Sequence, residues 1–107
     1  MSLSNQSLLK ELNSLLRAKL PNEVVDIVLF GSQVSGYAQK DSDYDILIIL
    51  KQKADWKTER EISDLCYEIE LKFDIITDIH IIGESELPTL RGKQPIFVNA
   101  IANGLHG

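Results

Sequence analysis

The chain has 107 residues, with 11 lysines and arginines against 16 aspartates and glutamates for a formal net charge of −5, and a single cysteine. A chain this short buries one core and leaves no room for a second substrate-recognition domain, so one domain over residues 1–107 is expected. The dispersed cations argue against a phosphate-backbone footprint, which excludes nucleic acid as the main partner. The absence of a leader pattern, of a membrane-length apolar run and of any cysteine framework points to a cytoplasmic setting.

Leu8, Leu9, Leu12, Leu15 and Leu16 recur at helical spacing, with Ser4, Asn5 or Ser7 available as the N-cap and Pro21-Asn22 as the stop. Val24–Phe30 reads as the first strand. At its mouth stands Gly31-Ser32-Gln33-Val34-Ser35-Gly36, and after a short link Asp43-Tyr44-Asp45 runs into the apolar segment Ile46–Leu50, the second strand. Thr58-x-x-Glu61 has the form of a capping box for a helix to about Lys72, whose stripe Ile62, Leu65, Cys66 and Ile69 would cover the sheet. Cys66 is thus expected as a small buried hydrophobe.

A third strand is predicted over Ile75–Ile82. The tail carries a last helix, opened by Pro95 and stopped by Gly104. Its apolar residues Ile96, Phe97, Val98, Ala100 and Ile101 exceed one stripe, which suits a partner surface in a homo- or hetero-oligomer as well as the core. Trp56 and Tyr37 are expected to pack locally. Strands alternating with helices predict an α/β (α+β) fold, a small mixed sheet of three or four strands with helices packed on it.

The chemistry is concentrated at two strand ends. Side chains alternate across a strand, so Asp43 and Asp45 are expected on one face, about 6–7 Å apart along the chain. Two adjacent carboxylates repel unless a cation lies between them, and Mg²⁺, with its preference for oxygen ligands and phosphates, fits that place. Upstream, Gly31 allows a tight turn, Ser32 offers a hydroxyl and an N–H to an anion, and Gly36 permits close approach. Asp74, Ile76, Asp78 and His80 share one face of the third strand. Asp78, inside the strand, is preferred as a third carboxylate over Asp74 at its start, and His80 is read as a structural histidine that could assist a proton transfer.

The order Gly-Ser-x-x-x-Gly, a short gap, then Ser-Asp-x-Asp opening a hydrophobic strand resembles the signature of the DNA polymerase β-like nucleotidyltransferase superfamily, in its minimal, MNT-type branch. The resemblance covers nearly the whole chain and implies that fold. It also implies a catalytic and metal-binding set of Asp43, Asp45 and Asp78 around two Mg²⁺ ions. The triphosphate of ATP or another nucleoside triphosphate would be held at Gly31, Ser32, Gln33 and Gly36. The implied activity is transfer of a nucleoside monophosphate, AMP from ATP, to a hydroxyl, as in antitoxins that modify a tyrosine of a HEPN-domain partner protein.

The chain departs from the family pattern at Gln33 and Ser35, where many members carry arginine, and Lys40 is the one nearby substitute. The alternative expectation is a catalytically weak module of the same fold that neutralises a partner by contact.

Overall fold

The structure, a computed structural model, describes residues 4–35 and 43–107. Helix α1 spans Asn5–Lys19, capped by the Ser4 side chain accepting from the Ser7 N–H, and its stripe Leu8, Leu9, Leu12 and Leu16 is buried. Strand β1 covers Val24–Phe30, followed by the single turn α2 at Ser32–Ser35 and strand β2 at Tyr44–Leu50. Helix α3 runs Trp56–Phe73 and strand β3 Thr77–Gly83. After a 3₁₀ turn at Glu84–Glu86 come helix α4, Pro95–Asn103, and strand β4, Leu105–His106.

The four strands form one mixed sheet in the order β3-β2-β1-β4. β1 is antiparallel to both β2 and β4, while β2 and β3, joined through α3, are parallel. The central β2 is covered on both faces, which is why Ile46–Leu50 is continuously apolar rather than alternating. Ile27, Leu29, Ile46, Ile48 and Leu50 face α1 and α3 and pack with Leu8, Leu12, Leu16, Ile62, Cys66 and Ile69. Val28, Leu47, Ile49 and Ile82 face the other way, against Phe97 and Ala100 of α4. Each such buried aliphatic side chain contributes about 1.5–3 kcal/mol of transfer free energy.

Several boundaries differ from the sequence expectation. The box at Thr58 and Glu61 does not open α3; Asp55 is the N-cap, and its carboxylate accepts from the Thr58 N–H at 2.8 Å. An aspartate three residues upstream caps the N–H groups one turn earlier and so lengthens the helix by about a turn. β3 starts at Thr77 rather than Ile75 because Asp74 takes the left-handed conformation, φ 55°, that ends α3. Trp56, expected to pack locally, is 71% exposed, since the earlier helix start puts it on the solvent side of the first turn. Tyr37 lies outside the described residues.

Candidate active site

Two strands deliver the acidic groups. In the parallel ladder Asp45 stands directly opposite Asp78, and in the antiparallel one Phe30 stands opposite Asp45, so Phe30, Asp45 and Asp78 form one row across three strands. Alternation then puts Asp45 on the face of Leu47 and Ile49, and puts Asp78 and His80 on the face of Ile82. This is the α4 face. Further along it, the strands are sealed by Phe97 and Ala100.

Carboxylate oxygens of Asp45 and Asp78 and a ring nitrogen of His80 all lie within 4.8 Å of one another. Burial first, and then the charge of Asp78, raise the Asp45 carboxyl above its ordinary range; His80 opposes this, and Asp43 adds to it. Asp43 itself is exposed, one residue before β2 begins. Asp74 lies at the end of α3, and the residue in register with Asp45 is Asp78.

The glycine at the strand mouth is demanded by geometry. Gly31 has φ +84°, and a Cβ there would collide with the Asp45 carboxylate. The backbone therefore lies directly against the acid, and an L side chain here would need both a strained backbone and a displaced Asp45 carboxylate. From Gly31 the chain turns into α2, with the Val34 N–H donating to the Gly31 carbonyl at 3.1 Å. Asn5, in the first turn of α1, donates from Nδ2 to the Gln33 carbonyl at 3.2 Å and ties this segment to the first helix. The expected roles of Gly36, Lys40 and the Ser32 hydroxyl lie outside the described residues.

A cleft of about 610 Å³ opens beside Gly31, lined by Phe30, Gly31, Val34, Ile96, Asn99 and Asn103. The α4 residues are absent from the expected site, although Ile96, Asn99 and Asn103 fall on one helical stripe, a signal readable as two amides in an otherwise apolar helix. His80 joins the acidic pair more closely than a structural role required. The signal was its position two residues beyond Asp78 on the same strand face. A separate hollow of about 360 Å³ lies at the far end of β2, around Lys51 and Lys53, away from the acids.

The donor set suits a divalent cation. Two carboxylates held face to face, one with its proton affinity raised by burial and by its neighbour, and an imidazole nitrogen without a hydrogen-bond partner together form a site that a cation would neutralise.

The nucleotidyltransferase domain family model matches residues 9–99. The chain belongs to that family. Two proteins of Methanocaldococcus jannaschii, named as candidate protein adenylyltransferases, are similar. MJ0604 is 32% identical over 84 residues, 78% of this chain and 77% of its own length. MJ0141 is 31% identical over 67 residues, 63% of this chain and 64% of its own, so the chain spans less than two thirds of that relative.

Among solved structures, a toxin-antitoxin crystal structure with AMP-PNP shares the fold at TM-score 0.59 and 22% identity, covering 91% of this chain and 69% of that one. A mutant MntA-HpeT toxin-antitoxin structure does so at TM-score 0.58 and 20% identity, over 97% and 72%. The mixed sheet with helices on both faces is therefore the nucleotidyltransferase fold, as the sequence motif implied.

Proposed function

We propose that the chain transfers a nucleoside monophosphate, AMP from ATP, to a hydroxyl of a partner protein, a tyrosine of a HEPN-type toxin, and that it acts as the antitoxin in that pair. The observation that carries this reading is the register of Asp45 with Asp78 beneath the left-handed Gly31 turn. The turn and the acid pair are adjacent, which suits a phosphate on the one and a cation on the other. The adenylyltransferase names of the two relatives and the AMP-PNP and toxin-antitoxin context of the structural neighbours support the same chemistry.

In this reading the backbone at Gly31, Ser32 and Gln33 and the Ser32 hydroxyl hold the β and γ phosphates, with Gly36 allowing close approach. The nucleoside lies in the cleft between Phe30 and the Asn99–Asn103 stripe. Asp43, Asp45 and Asp78 would hold two Mg²⁺ ions, which when bound would supply charge neutralisation for the phosphates and lower the pKa of the attacking hydroxyl. The hydroxyl oxygen bonds to the α-phosphorus, the bond to the bridging oxygen breaks, pyrophosphate departs, and Asp78 accepts the hydroxyl proton. The setting is cytoplasmic. Among the described residues no helix is long and apolar enough to cross a membrane, and the Cys66 thiol is buried, with burial pushing its pKa to about 12.

One observation favours a second reading. Gln33 and Ser35 occupy positions where a cation would neutralise phosphate, which suits a module that silences its partner by contact with little turnover.

Titration with ATP, with and without Mg²⁺, separates the two. Metal-dependent binding that disappears in Asp43→Ala/Asp45→Ala, with the fold intact, is expected for the transferase. No binding at millimolar ATP would overturn it in favour of the contact module.

A further inference from the structure

The Mg²⁺ assignment above draws on oxygen donors, yet the third donor that the fold brings to the acid pair is a nitrogen. A ring nitrogen of His80 falls within 4.8 Å of the oxygens of both Asp45 and Asp78. Its Nε2 is closed off from solvent and makes no hydrogen bond, although it lies 3.4 Å from Asp78 Oδ2. An ordinary aspartate–histidine pair would align that contact and satisfy the nitrogen, because a buried polar atom without a partner is costly. The ring is held instead by Phe30, centroid to centroid at 5.8 Å, and by the backbone of β3, where His80 stands opposite Leu47, the sheet position just beyond the Asp45–Asp78 row. The nitrogen is closed off from solvent, makes no hydrogen bond and lies beside two carboxylates, the surroundings of a metal ligand.

We propose that His80 is a metal ligand, and that the position formed by Asp45, Asp78 and His80 takes a divalent first-row transition ion, of which Mn²⁺ is the probe, ahead of Mg²⁺. This rests on the metal-dependent reading above and sharpens it. Mg²⁺ is a hard cation that favours oxygen and dehydrates reluctantly, whereas imidazole nitrogen binds transition ions far better. The remaining position, beside Asp43 and the phosphates, keeps its oxygen donors and its Mg²⁺.

The test is pulsed electron paramagnetic resonance of Mn²⁺ bound to the untagged full chain, with Mg²⁺ as competitor. The chain has two histidines, so a nitrogen coupling has two possible sources. Support is a nitrogen modulation in the unmodified chain that persists in His106→Gln and vanishes in His80→Asn, with Mg²⁺ displacing Mn²⁺ only at roughly tenfold excess or more. Should His80→Asn fail to fold, the His106→Gln spectrum decides alone, since it leaves one histidine.

Mn²⁺ that binds, is lost in Asp45→Asn and shows no nitrogen modulation would overturn the His80 assignment while leaving the transferase reading standing. No bound Mn²⁺ at all would overturn both.

Discussion

At the scale of single residues the site is governed by one glycine. Gly31 combines a left-handed backbone with contact against the Asp45 carboxylate, so Gly31→Ala has two costs. The positive φ costs about 1 kcal/mol of stability, read as a lowered urea midpoint. The displaced carboxylate costs more in function, since misplacement of a reacting group by about 1 Å lowers turnover by about a hundredfold. Unchanged nucleotide transfer in Gly31→Ala would show that the Asp45 carboxylate need not sit under the turn. The acid pair predicts the opposite balance. Asp45→Asn should abolish transfer while the metal-free protein is as stable as before or more so, because the carboxylate is held against burial and against Asp78. Denaturation of the metal-free variant checks it, and a clear loss of stability would mean that the pair is a structural contact.

At the scale of elements, what could be read in advance depended on how each boundary is signalled. β1 was readable to the residue because an apolar run stands between Pro21-Asn22 and Gly31, all three of which punctuate the chain. At the start of α3 two good capping residues compete, and the hydrogen bond from the Thr58 N–H to Asp55 sets the boundary. β4 carried no signal at all: two residues show no period, and the strand exists because β1 offers a free edge. Asp78 was legible from its strand face, but its register with Asp45 needed the α3 crossover to be built first.

Two element-level predictions follow from these joints. Asp74 adopts φ 55° at the end of α3, so Asp74→Gly should stabilise by up to about 1 kcal/mol and leave metal binding unchanged. Loss of metal binding in that variant would return Asp74 to the site. The second concerns β4. His106 Nδ1 lies 2.5 Å from Asp26 Oδ2 and Nε2 lies 2.8 Å from the Ile101 carbonyl oxygen. Both partners accept, so both are satisfied together only by the protonated ring. The Asp26 contact, then the Ile101 carbonyl, raise the His106 pKa above its ordinary 6.5. A raised value in the folded state means a contribution that is fully present below 6.5 and lost as pH rises through the folded value. Urea midpoints should therefore fall, relative to His106→Gln, as pH rises above 6.5. A constant difference between the two proteins across that range would refute the latch.

At the scale of the whole molecule, the described elements are used up in covering the sheet. α1 and α3 seal one face, α4 seals part of the other, and the end bearing Phe30, Asp45, Asp78 and His80 stays open beside the cleft at Gly31. A net charge of −5 gives no general attraction for nucleic acid at that end. Under the transferase reading, docking by the acceptor protein would make modification specific to a cognate partner rather than general. Incubating the chain with its partner, ATP and a divalent cation should add the mass of a nucleoside monophosphate to a tyrosine of the partner and to no unrelated protein. The gain should vanish with Asp45→Asn in the same mixture. Modification of unrelated proteins at comparable rates would show that the open end reads tyrosine alone. A partner neutralised without any mass gain would shift the weight to the contact module that Gln33 and Ser35 favour, with the acid pair retained for binding nucleotide rather than for transferring it.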